Sequence, residues 1–430
     1  MDSKTEAQTI PNPSLSTSDP TLPENAAFKI TAVLFLGQAI GSSAIVNIGT
    51  IGSIIASDTI SERWSGLPSA LHGIGAAIAA FGLGTLMSHW GRRNSLVLGL
   101  TVGAVGAVIV TLGLMRSQLS AFIIGLLILG AGKASIDFGR FIAGEVYELK
   151  KRGRAVSAVV MGGTIGAVLG PFINGPLTQL SERLGLYQYL GVFMLPILIF
   201  ALIALVYNFF LRPEPGLVAA HITKSEQKPD QKNRSLREIF SNPAVLTAMM
   251  AMIVGQTVMV MIMVVTAVHM KHHDHTPTNI AAVISSHTFG MFAFSMLTGI
   301  LLDRFGRAAV ISAGALILLT AALLAPLSLH LVPLALALFL LGLGWNFCFV
   351  GGSTLLADQL SGLERTRIQG INDLLISGIS AIAGLGSGFL FASVGYAIMG
   401  YIGAIASLIP LFTTLSLWLR ERNLKLGLNT

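Results

Sequence analysis

A single cysteine, Cys348, stands in 430 residues, and only 11% of the chain is Asp, Glu, Lys or Arg. The lone thiol excludes an internal disulfide framework. So low a charged fraction, beside 53% hydrophobic residues and a mean hydropathy of +0.75, excludes an ordinary soluble domain, in which about a quarter of residues are charged. There is no GxxxxGK[ST] phosphate loop, no nucleophile beside a placed base and no polar stretch long enough to fold into a catalytic domain. The chain therefore reads as no enzyme and as needing no cofactor.

What is abundant is apolar sequence in runs of membrane-spanning length, roughly 20 helical residues each. Twelve such runs are predicted, six on either side of a polar centre, without the period-two alternation of a barrel. In lipid the backbone must satisfy its own hydrogen bonds, so these runs are helices. The expected fold is an all-α membrane protein of twelve transmembrane helices in two six-helix pseudo-symmetric halves. Residues 1–27 form a polar tail without the features of a signal peptide. Residues 28–211 form the first bundle, 212–243 a linker, 244–419 the second bundle and 420–430 a second tail. Within the linker, SLREIF has the pattern of a short interfacial helix.

Lys and Arg crowd the segments on one side, among them Arg92, Arg93, Lys150, Lys151, Arg234, Arg304 and Arg307. The opposite loops hold only Arg63, Arg116, Arg183 and Lys271. This bias places both termini in the cytoplasm and the protein in the cell's inner (plasma) membrane. It also accounts for the net charge of +7 without nucleic acid. The expected partners are membrane lipids and a small-molecule or metal-ion substrate, and the expected state is monomeric.

The halves repeat. His72 and His287 stand 287 − 72 = 215 positions apart, and Gly75 with Gly290, Gly84 with Gly299, Gly91 with Gly306 and Arg92 with Arg307 keep that separation. Parallel repeats of this kind read as a transporter that binds cargo between its halves.

The stretch GILLDRFGRA, residues 299–308, resembles the loop signature of the major facilitator superfamily. The resemblance implies a gating role for Asp303, Arg304, Gly306 and Arg307. The first-half copy, GTLMSHWGRR, has Ser88 at the acid position, which puts that half's ion-pair latch in doubt. GAVLGPFING, residues 166–175, is similar to the signature of proton-coupled antiporters in the superfamily, with Asn174 in place of a glycine. Read from the residues alone, Gly166 and Gly170 give a smooth packing face and Pro171 bends the helix.

Met259 and Met263 are four residues apart, as are His287 and Met291, so each pair shares a helical face. At 1.5 Å per residue the methionine pair lies roughly 10 to 16 Å deep and the second pair roughly 13 to 20 Å deep. Thioether and imidazole donors together suit Cu(I). The MxxxM and HxxxM combination resembles the hallmark of the CcoA-like copper importers within the superfamily. That resemblance implies that Met259, Met263, His287 and Met291 carry copper inward. The bland alternative is packing, because methionine fills irregular gaps and Met249, Met250, Met252, Met261 and Met270 on the same span do not share one face. The loop HMKHHDH, 269–275, is open to two readings, a metal collector or a solvated loop, and Cys348 to two others, a soft ligand or a packed thiol.

Charges within spans are the remaining anomaly. Lys133, Asp137 and Arg140 are spaced for mutual contact on the fourth span, with Glu145 nearer its end, and Asp373 stands on the eleventh. The trio is either a neutralised structural network or a proton-coupling group centred on Asp137. The function expected from the whole is secondary active transport by alternating access, importing copper; a proton-coupled efflux antiporter for small organic molecules is the alternative.

Overall fold

The computed structural model describes residues 22–226, 234–360 and 362–425. The described residues contain helices and no strand. The first half comprises α1 (Leu22–Thr59), α2 (Leu67–Trp90), α3 (Arg92–Met115), α4 (Leu119–Glu145), α5 (Leu149–Leu169), α6 (Asn174–Arg183) and α7 (Leu190–Phe210). Two short helices follow, α8 (Pro215–Glu226) and α9 (Leu236–Phe240). The second half comprises α10 (Pro243–His272), α11 (Pro277–Phe292), α12 (Ser295–Phe305), α13 (Arg307–Leu324), α14 (Leu331–Asp358) and α15 (Gly362–Lys425).

Eleven runs of the described residues are long and apolar enough to cross a membrane. The last, Leu374–Leu419, holds 46 residues. As one straight helix it would reach about 69 Å, more than twice the roughly 30 Å of a hydrocarbon core. Gly395, with φ 77° and ψ 172°, breaks α15 there, so that it makes two crossings and the total is twelve. An L side chain disfavours that backbone conformation, which is why glycine holds the turn.

Three expected boundaries shift. α1 begins at Leu22, ahead of the expected start at Phe28, while the expected tail's residues 1–21 lie outside the described residues. The fifth span, expected over 155–180, is α5 and α6 joined by a 3-10 turn at Gly170–Ile173, because Pro171 has no N–H to continue an α-helix. The eighth, expected over 278–302, is broken into α11 and α12. α8 was not anticipated, whereas α9 forms where SLREIF foretold, with the Ser235 hydroxyl capping the Glu238 N–H at 3.3 Å.

The internal repeat is a physical one. Gly91 (φ 82°, ψ 166°) and Gly306 (φ 84°, ψ 163°) turn α2 into α3 and α12 into α13 with nearly identical dihedrals. In both halves glycines bring two helices into backbone contact. A Cβ on Gly130 would lie 2.6 Å from the His72 carbonyl and 2.4 Å from Ala76 N, and one on Gly342 would lie 2.2 Å from the His287 carbonyl and 2.9 Å from Met291 N. Without a hydrophobic drive between helices in lipid, such close approach supplies the packing energy.

The halves meet along a seam in which α1 faces α10, α5 faces α11 and α2 faces α15. It is closed at the end away from the termini. There Lys271 pairs with Asp58, His272 Nε2 lies 3.7 Å from Glu62, the rings of Trp64 and Phe389 meet at 5.1 Å, and the Ser285 hydroxyl donates to the Val168 carbonyl at 2.6 Å. At the terminal end Arg92 pairs with Glu145 at 3.1 Å within the first half, Arg307 with Asp358 at 2.8 Å within the second, and Arg234 of the linker with Glu364 of α15 at 2.9 Å.

Candidate functional site

A cavity of about 270 Å³ lies in the seam, walled by α1, α2 and α5 on one side and by α10 and α11 on the other. Met259, Met263, His287 and Met291 all line it. The two helices that carry them are fixed at their starts by local chemistry. The Asn242 side chain accepts the Ala244 N–H at 2.9 Å ahead of Pro243, and the Thr276 hydroxyl accepts the Asn279 N–H at 3.2 Å ahead of Pro277. Four-residue spacing then turns each pair toward the same space.

His287 is 1% exposed. Its Nδ1 lies 2.9 Å from the Leu338 carbonyl oxygen, which can only accept, so Nδ1 carries the proton. In the neutral ring Nε2 is left with a lone pair, and that atom is buried without a hydrogen-bond partner. A nitrogen oriented by a backbone carbonyl through the other side of its ring is the arrangement of a metal-binding imidazole. The rest of the wall competes little, since the Thr50 and Thr288 hydroxyls donate to carbonyls of their own helices at 3.0 Å. Apolar side chains including Ile45, Val46, Val264, Ile284 and Phe292 complete it. Three thioethers and one imidazole nitrogen are a soft donor set.

Beyond Phe292, toward the termini, Trp345 meets the Phe292 ring edge-on at 5.9 Å and stacks on Phe349 at 4.7 Å. Trp345 Nε1 donates to Gln256 Oε1 at 2.7 Å, and Gln256 Nε2 donates to the Ser380 hydroxyl at 2.9 Å. This Trp345–Gln256 pair is not legible in the sequence, since an aromatic and an amide on different spans carry no spacing that links them.

Of the two readings left open for the 269–275 loop and for Cys348, the structure favours the one without metal in each case. The imidazoles of the 269–275 loop do not gather into one donor set: the His269 and His273 rings meet edge to face at 4.6 Å, but His269 also stacks on Tyr396 at 4.2 Å, His273 Nδ1 donates to the His269 carbonyl at 2.8 Å, and His275 Nε2 donates to the Leu329 carbonyl at 2.8 Å. Among the described residues no three His, Cys, Asp or Glu side chains converge as a metal site. Cys348 is fully buried, its sulfur 3.8 Å from the Ile311 carbonyl, and it does not line the cavity.

On α4, Lys133 and Asp137 form an ion pair, each side chain about a third exposed. Arg140 instead sets its guanidinium 4.7 Å over the Phe141 ring, with Nε buried and unpartnered. The side chain of Asp373 lies outside the described residues. In the loop motif, Asp303 is 3.6 Å from Arg307 and 83% exposed, while Arg304 lies over the Phe305 ring at 5.4 Å. Arg307's nearer acid is Asp358 of α14. In the first half, where Ser88 replaces the acid, Arg92 turns to Glu145, and Glu214 accepts the N–H groups of Arg92 at 2.5 Å and Arg93 at 3.2 Å. A carboxylate at the N-terminus of α3 is favoured by the exposed amides and the helix dipole. The acidic partners of Arg92 thus come from outside the motif.

The family profile of the Major Facilitator Superfamily matches residues 33–273 and 250–428. The uncharacterized MFS-type transporter YddS of Bacillus subtilis is 34% identical over 397 residues, 90% of each chain. The riboflavin transporter RfnT of Brucella anthropi is 28% identical over 378 residues, covering 88% of this chain and 92% of that one. Among solved structures, the nucleoside transporter NupG aligns with a TM-score of 0.64 at 16% identity, covering 92% of this chain and 99% of that one. The D-xylose-proton symporter aligns with a TM-score of 0.66 at 18% identity, covering 89% and 97%. A twelve-crossing fold with a repeated half, a cavity in its seam and a family match across almost its whole length leave one assignment: the chain belongs to the Major Facilitator Superfamily, a secondary transporter and not an enzyme.

Proposed function

We propose that this transporter carries copper, as Cu(I), inward across the cell's inner membrane. The observation that carries the reading is the meeting of Met259, Met263, His287 and Met291 on one cavity, with the His287 Nε2 lone pair uncommitted. Sulfur and imidazole nitrogen replace the hydration of a soft monovalent ion at a depth where oxygen ligands are scarce. With the basic end in the cytoplasm, the closed end faces outward and this conformation is inward-facing. Opening alternates as the halves rock about the seam, and copper drives that change only to the extent that it binds the two states unequally. Lys133 and Asp137 are the candidates for coupling the cycle to protons, Arg140 holding its place on Phe141.

The test is equilibrium binding of Cu(I) to purified protein, in competition with a chromophoric chelator. Wild type is expected to hold one copper, and His287→Leu to weaken it by at least about tenfold, the loss of one good ligand. Equal affinity in the two proteins overturns the reading.

A second reading is transport of a planar organic molecule. It is supported by the aromatic rings of Phe292, Trp345 and Phe349 beside the cavity and by the riboflavin transporter among the relatives. Trp345→Ala separates the two, since it removes a stacking surface and no copper ligand.

A further inference from the structure

We infer that Asn346 is a positioning residue of the cavity: it holds a break in the eighth span open and so fixes Met291 on the cavity wall. The inference rests on Met291 being a donor of the site proposed above.

The break comes directly after the HxxxM pair. α11 ends at Phe292, Ala293 and Phe294 form a turn, and α12 starts at Ser295. In an unbroken helix the Met291 carbonyl would accept the Ser295 N–H. Instead it accepts from Asn346 Nδ2 at 2.6 Å. The same Nδ2 lies 2.8 Å from the Ser295 hydroxyl, and Asn346 Oδ1 accepts from the Thr298 hydroxyl at 2.6 Å. A carbonyl only accepts, so the end of the amide that faces Met291 must be Nδ2, which leaves Oδ1 for Thr298. One side chain, 1% exposed, therefore ties the last turn of α11 to the first of α12. At membrane depth a freed backbone group must find a partner, and here a neighbouring span supplies it.

The first half provides the comparison within the same chain. Gly130 packs on His72 and Ala76 as Gly342 packs on His287 and Met291, so the residue four positions further along α4, Ala134, corresponds to Asn346. There the methionine position is Ala76, the amide position is Ala134, and α2 runs unbroken from Leu67 to Trp90. Amide, break and thioether occur together in one half and are replaced together in the other. An amide with three partners in an apolar interior is costly to strand, and its presence beside Met291 is explained by a need to hold that turn. Straightening of the span would return the Met291 carbonyl to Ser295 and swing the side chain off the wall.

The experiment reads Met291 directly. Cys348→Ala removes the only thiol, and Met291→Cys then reports, by its rate of reaction with a small methanethiosulfonate, how far position 291 faces the cavity. Adding Asn346→Ala is expected to slow labelling by about fivefold or more, and the near-isosteric Thr298→Val, which leaves the fold least disturbed, to slow it less. A parallel Met263→Cys protein is expected to label at an unchanged rate. An unchanged rate at 291 in both variants, or an equal fall at 263, overturns the inference. In copper uptake, Asn346→Ala is expected to raise KM about tenfold with Vmax held within about twofold, and to add nothing to Met291→Leu. Labelling needs no copper, so failure of the copper reading in Met291→Leu and failure of the labelling prediction are separate results.

Discussion

His287 donates its Nδ1 proton to the Leu338 carbonyl and keeps Nε2 buried without a hydrogen-bond partner, on a ring that lines the cavity. Met263, half-buried on the facing span, offers a cleaner probe, because Met→Leu conserves volume and costs under about 1.5 kcal/mol even in a core. Met263→Leu is therefore expected to lower Cu(I) affinity at least about tenfold while the melting temperature moves by no more than about 3 °C. Equal melting curves beside unequal chelator titrations are the outcome that separates a ligand from a packing residue. That Met259 shares a face with Met263 and His287 with Met291 was legible in the sequence, because i, i+4 spacing needs no tertiary information to place two side chains on one face. Asn346 was not legible: a lone amide in LGLGWNFC has a meaning only once Met291, Ser295 and Thr298 of another span are beside it. The loop histidines were open to two readings for the same reason, since proximity in sequence brings only His269 and His273 ring to ring.

Among elements, the paired glycines set how closely α11 approaches α14 and α2 approaches α4. Gly342→Ala puts a methyl 2.2 Å from the His287 carbonyl, a backbone atom that can yield only by moving the helix. The variant is expected to lose roughly 1 to 3 kcal/mol and to weaken copper binding, read by thermal unfolding and chelator titration. Gly299→Ala, whose Cβ meets nothing within 4 Å, is the control expected to change neither. Span existence could be read from hydropathy, and the fifth span's break could be read from Pro171. The break between α11 and α12 carries no proline, and α8 carries no strong periodicity, so neither announced itself. The turn inside α15 is made by Gly395.

The molecule as a whole is a pair of bundles held together most firmly at one end. Asp58–Lys271 and Glu62–His272 join the halves there, with side chains a third to a half exposed, so each pair contributes about 0 to 1 kcal/mol. Replacing both acids, Asp58→Asn with Glu62→Gln, is expected to raise the population open at that end by up to about tenfold, more at low ionic strength than at high. Spin labels on either side of the seam read it as a longer-distance component; an unchanged distance distribution contradicts it. Asp137→Asn is expected to leave copper exchange intact and abolish its acceleration by a proton gradient, measured in vesicles with and without an imposed pH difference. The two-half plan was legible because the repeat preserves Gly75 and Gly290, where a Cβ would meet a neighbouring helix's backbone, and Gly91 and Gly306, which turn the chain at positive φ. The acidic partners of Arg92 were not, because Glu145 and Glu214 reach it from other elements.

The account depends on sulfur and nitrogen from two neighbouring spans holding the transported ion. Uptake of labelled copper into proteoliposomes tests this most directly, comparing wild type with Met259→Leu, Met263→Leu, His287→Leu and Met291→Leu, and with Met249→Leu, which packs in a separate core on the same helix as a control. The prediction is uptake in wild type and in the Met249 variant, and loss of at least about tenfold in each of the other four. Uptake that is absent from wild type, or that all five variants share equally with it, contradicts the account.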